Sequence, residues 1–275
     1  MIAVCIATYN QEAFIEQAVA GVQKQVCDEP VRIYIGDDAS SDGTRAICEQ
    51  LAHEDKRIVY VRREKNAGLV ANTIDLYRRI MADGCEYIAM LDGDDYWTDE
   101  NKLQEQVDYL RSHPEAGFVH TAAWKDNEGI LTEERTDNVS AGDLRMSYDF
   151  AGANQTNSTV LFRSSLLRTE DLEAIQAQAF RMLDYPLYGV FSQQTQFGFI
   201  PSRTTAFRIH HSVSNPSCAS AFLSYQYHYA RAWRWLDKRY DGHFHFRWYK
   251  VVSWYLWQVV YAVIHYSKIR IKASN

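Results

Sequence analysis

Over the first hundred residues, short apolar runs alternate with segments of helical periodicity, separated by turns of a few residues. Few folds other than a mainly parallel sheet covered by helices accommodate that alternation. Ile2 to Ala7 reads as a buried strand, and the next segment sets Phe14, Ile15, Ala18, Val19 and Val22 on one helical face. Val31 to Ile35 is a second strand. After the polar turn Asp37 to Gly43, a helix from Thr44 is expected to bury Ala46, Ile47 and Leu51, and Val59 and Val61 mark a third strand. Val70, Ile74, Tyr77 and Met81 then recur at helical spacing up to Asp83-Gly84, a pair suited to ending a helix. Tyr87 to Leu91 is the central strand.

Beyond it the pattern loosens. Asp99 to Ser112 is amphipathic through Leu103, Val107 and Leu110, and His113-Pro114 stops it. Strands around Phe118 and Val160 flank a polar stretch containing the turn Asp126 to Gly129, so this half reads as mixed. With 275 residues, no repeats and no low-complexity linker, the expected organisation is one globular unit. Its parts are residues 1–100, 101–216 and a helical, aromatic-rich extension, 217–275.

The net charge of −6 leaves no basic footprint for nucleic acid. Five scattered cysteines, Cys5, Cys27, Cys48, Cys85 and Cys218, form no CxxC pair and read as reduced thiols. The amino terminus lacks a basic n-region and a cleavage site, so it reads as a strand rather than a signal peptide. The acceptor-like triplets beginning at Asn138, Asn154 and Asn157 therefore carry no weight as glycosylation sites.

Two acid clusters stand directly after apolar runs: Asp37-Asp38, and Asp92 and Asp94 with Asp95 beside them. In an open α/β sheet the carboxyl ends of the strands border one crevice, so both clusters are expected to share it. Like charges crowded there need a cation, and a divalent metal also neutralises a diphosphate. A calcium loop does not fit, because Trp97 stands where the turn glycine belongs and Leu103 where the bidentate Glu belongs. Dinucleotide binding fits poorly too: ATYN after the first strand lacks the glycines that let a helix approach a pyrophosphate.

The ordered blocks VCIATYNQEAFIEQAV, YIGDDASSDGT, NAGLVANT, YIAMLDGDDYW, NSTVLFR, MLDYPLY and FRIHHSVS span residues 2–215. Together they resemble the inverting family 2 glycosyltransferases. The resemblance implies a GT-A (Rossmann-like) fold, a mixed, mainly parallel central sheet flanked by helices, with a C-terminal helical extension. It implies that Thr8 and Tyr9 contact the nucleotide and that Asp38 accepts a hydrogen bond from a base imide, which suits UDP- or dTDP-sugars. Asp92 would bind ribose, and Asp94 would hold Mn2+ or Mg2+ against the diphosphate, with Asp95 the alternative direct ligand. His210 would complete the metal or diphosphate shell, and Arg208 would touch phosphate. Asp184 would be the base that deprotonates the acceptor, although Leu183 stands where the family usually carries Glu or Gly before it.

Plainer readings accompany these roles. Asn10 and Asp184 are each good helix caps, the Asp37 to Gly43 segment has the composition of any loop, and Trp97 can stack on a sugar or anchor the next helix. Asn157-Ser158-Thr159 either binds sugar hydroxyls or turns into a strand. In the tail, Arg247, Lys250, Gln258, His265 and Lys268 share a narrow helical stripe opposite a wide apolar face, and Val251 to Ile264 is shorter than the ~20 residues a spanning helix needs. That suits an interfacial helix at a membrane, or packing on the chain's own domain or a second subunit in a homodimer.

The expectation is thus a cytoplasmic or inner-membrane-peripheral glycosyltransferase moving a sugar to a hydroxyl of a glycan or lipid-linked saccharide. A non-catalytic nucleotide-sugar-binding scaffold is the alternative.

Overall fold

The computed structural model describes residues 1–133, 156–209 and 219–243, with 249, 252, 253 and 255–261. The first half alternates as its periodicity requires: β1 (Ile2–Thr8), α1 (Ile15–Gln23), β2 (Val31–Asp37), α2 (Thr44–Glu54), β3 (Ile58–Arg62), α3 (Leu69–Ala82) and β4 (Tyr87–Asp92). There follow β5 (Tyr96–Trp97), α4 (Lys102–Ser112), β6 (Ala116–Asn127), β7 (Ile130–Glu133), a 3-10 turn at Asn157–Thr159, β8 (Leu161–Arg163), a second 3-10 turn at Ser164–Leu166, α5 (Thr169–Gln176), α6 (Asp184–Phe191), β9 (Gln196–Arg208) and α7 (Ala219–Arg239).

The strands form one sheet in the order β3-β2-β1-β4-β8-β6-β9-β5, with β7 hairpinned onto β6. The first four strands are mutually parallel, and so are β6 and β9. β8 runs antiparallel to both β4 and β6, which makes the sheet mixed. Helices cover both faces. Along β1 the side chains alternate: Ile2, Val4 and Ile6 pack with α1, α2 and α4, whereas Ala3 and Cys5 pack with α3, α5, α6 and α7.

Several sequence expectations change in detail. α2 buries Thr44 and Cys48 and leaves Ala46 exposed, because Gly43 ends the turn with Thr44, not Ala46, on the inward stripe. Asn10 does not cap α1, whose first turn carries no side-chain cap. It takes a left-handed conformation, φ 53°, and its Oδ1 instead accepts from Ser41 N at 2.8 Å. Asp184 is the first residue of α6 rather than its cap. Asp83-Gly84 does end α3, with Gly84 at φ 68°. Cys5, Cys48 and Cys85 are buried, Cys27 is half-buried, and all four are free thiols; Cys218 and the triplets at Asn138 and Asn154 lie outside the described residues.

Candidate active site

From β1 the chain winds outward through β2 and β3, then crosses to β4 on the other side of β1. Such a reversal leaves a crevice at the strands' carboxyl ends. Register aligns its walls: Thr8 pairs with Asp37, and Ala7 with Asp92. Both acid clusters therefore end parallel strands, β2 and β4, that flank β1 at one edge of the sheet, as their positions after apolar runs led one to expect.

The acids differ in what holds them. Asp37 is buried, accepting from Ser40 N at 2.8 Å and from the Tyr60 hydroxyl at 2.7 Å. Asp38 turns toward the loop before α3, accepting from Ala67 N at 2.8 Å and Gly68 N at 2.7 Å. Each of its oxygens retains a second lone pair, and a base imide would have to use one of these. Tyr9, 47% exposed, stands open at the crevice mouth. Thr8 is buried and donates its hydroxyl to Gln11 Oε1 at 2.7 Å.

In the second cluster, Asp92 Oδ1 accepts from Asn157 Nδ2 at 2.8 Å, and the Asp92 amide donates to Ser158 Oγ at 3.0 Å. Asp95 is 2% exposed and turned inward: Oδ2 accepts from Ser158 Oγ at 2.6 Å and Oδ1 from Arg208 N at 3.1 Å. Asp94 remains half-exposed. Asp95 thus faces the protein, and Asp94 is the more exposed of the two. Gly93 between them is a close approach, where an added Cβ would lie 2.3 Å from Gln11 Oε1 and 3.2 Å from Thr8 Cβ.

Arg208, at the end of β9, closes the acid loop from the side. Its guanidinium donates to Asp94 O at 2.5 Å, donates to Gln17 Oε1, and lies 4.4 Å over the Tyr96 ring. His210, two residues on, lies outside the described residues. Trp97 is an anchor rather than a stacking platform, since it is 4% exposed and donates Nε1 to Ser158 O at 2.9 Å.

Asp184 begins α6 and is half-buried. The bridge is Tyr188, one helical turn along, whose hydroxyl donates to Asn157 Oδ1 at 2.6 Å. Burial raises the Asp184 carboxyl above its ordinary range, opposed by the amides of Asp184 and Tyr185. Burial, followed by the charge of Asp94, pushes Asp92 up to about 7; the Asn157 bond opposes this, and Asp184 adds to it. Burial and then Asp94 and Asp92 raise Asp95 well above the carboxylate range. Burial and the neighbouring charge both favour the protonated forms of Asp92 and Asp95.

Residues 157–159 were expected to line a sugar pocket or make a turn. They are the site's internal brace: Ser158 is fully buried and contacts Asp92, Asp95, Trp97 and Thr205. Tyr188 escaped the sequence reading, although its position one turn after Asp184 put both on one helix face.

Residues 3–176 match the family model described as glycosyl transferase family 2, and the chain belongs to that family. The dTDP-rhamnosyl transferase RfbG of Shigella flexneri is 31% identical over 107 residues, 38% of this chain and 36% of that protein. The chain spans only 31% of the length of its leading curated relatives. Among solved structures, the mannosyltransferase PcManGT of Pyrobaculum calidifontis, in complex with GDP-Man and Mn2+, superposes with a TM-score of 0.61 at 14% identity over 97% of this chain and 75% of that one. TarS of S. aureus in complex with UDP-GlcNAc gives 0.61 at 16% identity over 84% and 66%. At these identities the likeness establishes the GT-A fold.

Proposed function

We propose that the chain transfers a sugar from a nucleotide diphosphate donor, a UDP- or dTDP-sugar, to a hydroxyl of a glycan or lipid-linked saccharide, with inversion. The observation carrying this reading is the pairing of an acid loop at the carboxyl edge of β1, β2 and β4 with a separate half-buried carboxylate, Asp184, opening α6. Direct displacement needs those two parts apart, one for the leaving group and one for the acceptor proton. RfbG, named a dTDP-rhamnosyl transferase, lends the thymine option support.

The donor set fits a divalent metal. Hard carboxylate oxygens are what Mn2+ and Mg2+ take, and the burial and the Asp94 charge that raise Asp92 and Asp95 are both offset by nearby positive charge. Among the described residues no three His, Cys, Asp or Glu groups stand together as a complete cage. The protein would thus supply few ligands and leave the rest to phosphate oxygens and water, as Mg2+ sites commonly do. Asp94 would hold the ion, His210 would complete the shell, and Asp95, engaged by Ser158 and Arg208, would set the loop. A bound metal would stabilise the departing diphosphate.

The chain's own residues do the rest. Thr8 and Tyr9 border the base, Asp38 offers it a lone pair while fixing the Ala67-Gly68 loop, and Asp92 meets the ribose. Asp184 takes the acceptor proton, helped by the raised affinity that burial gives its carboxyl. Arg208 reaches the diphosphate only indirectly, by holding the Asp94 carbonyl. Residues 1–100 would then form the donor half, 101–216 the acceptor half and 217–275 an extension. Release of free nucleotide from a panel of donor sugars, with and without Mn2+, tests the whole; nucleotide binding without release from any donor would favour a scaffold.

A further inference from the structure

A basic cluster stands beside the start of α6, outside the acid loop. On α7, Ser224, His228 and Arg231 recur at spacings of four and three, so they share one stripe. Arg181, in the loop before α6, reaches that stripe by donating Nη1 to Ser224 Oγ at 3.1 Å. Arg231 Nη1 lies 3.4 Å from His228 Nδ1. Other contacts hold the Arg231 plane in place: Nη2 donates to Gln178 O at 2.8 Å, and the Phe180 and Tyr227 ring centres lie 5.5 and 5.9 Å away.

Among the described residues no carboxylate forms an ion pair with Arg181, His228 or Arg231, whereas Arg239, further along α7, pairs with Asp171. Burial, then the charges of Arg231 and Arg181, hold the His228 imidazole below its ordinary value. A bound anion would relieve that repulsion.

The cluster is tied to Asp184 by the chain itself. Arg181 precedes Asp184 by three residues, a reach of at most about 10 Å. Tyr185, next after Asp184, packs edge-on to Tyr229 at 5.1 Å, and Tyr229 packs on Tyr225 at 5.3 Å, one position along α7 from His228 and Ser224. A sugar presenting a hydroxyl to Asp184 would therefore have these cations within reach of a group attached to it.

We propose that Arg181, His228 and Arg231 bind a phosphate group carried by the acceptor, which makes the acceptor a phosphorylated or diphosphate-linked saccharide. Phosphate suits donors converging from two elements, because it offers several charged oxygens where a carboxylate has two. The proposal rests on reading Asp184 as the acceptor-side base, but it is tested by binding alone. Phosphate binding without transfer from any donor would sink that reading and leave this one, and transfer without phosphate binding would do the reverse.

The test follows histidine ring signals by NMR in the intact chain, with excess UDP and Mg2+ present to fill the donor edge and His228→Gln to assign the signal. Glycerol phosphate and geranyl diphosphate are titrated separately, with glycerol and glucuronate as controls. Both phosphates should move the His228 signal and raise its titration midpoint. Tighter binding of geranyl diphosphate by about tenfold points to a lipid-linked diphosphate, and tighter binding of glycerol phosphate to a phosphate within a glycan. Arg181→Gln, at an exposed position, should weaken binding about tenfold, and Arg181→Lys should restore most of it. A His228 signal that stays still up to about 20 mM of either phosphate overturns the proposal. So does wild-type binding by Arg181→Gln, or movement as large with glycerol or glucuronate.

Discussion

Asn157 Nδ2 donates to Asp92 Oδ1 at 2.8 Å, so an acid at the end of β4 is oriented by a residue 65 positions later in the chain. Asn157 in turn accepts from Tyr188 on α6. One amide therefore links the end of β4 to the helix that begins with Asp184.

Asn157→Ala should remove both bonds and strand the Tyr188 hydroxyl in a buried setting, costing about 1–3 kcal/mol of stability. Tyr188→Phe keeps the ring packed on Phe118, 4.9 Å between centroids, and should cost less. Thermal unfolding and calorimetric titration with UDP and Mn2+ check both; weaker nucleotide binding is expected for Asn157→Ala, and wild-type binding by that variant would show that the amide does not orient Asp92.

Gly93→Ala should fail locally. Its Cβ meets Gln11 Oε1, which can swing away, and Thr8 Cβ, which cannot. The expected loss is about 1–3 kcal/mol with weakened UDP binding. Unchanged affinity and melting temperature would show that the loop relaxes freely.

Asp94→Ala and Asp95→Asn should separate cleanly. The first should abolish the Mn2+ dependence of UDP binding and leave the melting temperature near wild type. The second disturbs the contacts to Ser158 and Arg208 and should lower stability. The reverse pattern in calorimetry and melting would exchange their roles.

Asp184→Asn should retain UDP binding and lose transfer by about 10²-fold or more. In the wild type, transfer should fall as pH drops through the Asp184 pKa, which burial raises above the ordinary carboxylate range of about 4. Rate against pH at saturating donor checks the sign: only the deprotonated carboxylate can accept the proton.

His120 should make stability pH-dependent. It is buried beside Phe199, and burial pushes its imidazole down to about 4. Unfolded, it takes up a proton below about 6.5, which the folded chain refuses until near 4, so the contribution is present above the unfolded value and is lost as pH falls between the two. The loss is on the order of 3 kcal/mol. Urea titrations near pH 7.5 and pH 4.5 on wild type and His120→Leu measure it; equal slopes in the two proteins would remove His120 as the cause.

The first hundred residues were legible because their information is local. Buried runs of strand length, helical spacing at Val70, Ile74 and Tyr77, and Gly84 after α3 each report their own surroundings, and together they bring Asp37 and Asp92 to one edge. What escaped depends on distant partners. Nothing near Asn10 signals that its side chain serves the β2–α2 loop instead of α1. Nothing in DGDD tells which acid turns inward, because Ser158 and Arg208 decide it. Tyr188 carried a usable signal in its spacing from Asp184, but the partner that gives it meaning lies 31 residues away.

The three-residue strand β8 has a consequence in time as well as in space. Among the described residues it is the only strand that pairs with both β4 and β6, through Ala89↔Leu161 and Phe118↔Phe162. β2 joins β1 and β3 joins β2 through single-helix crossovers, so these three strands can assemble as they leave the ribosome. The joins of β4 to β1 and of β8 to β4 must instead wait for stretches of roughly seventy to ninety residues to close, and slow non-local pairing of this kind sets folding rates. The helix that begins with Asp184 follows β8 in the chain, so Asp92 and Asp184 come together only after both of these long-range joins are made.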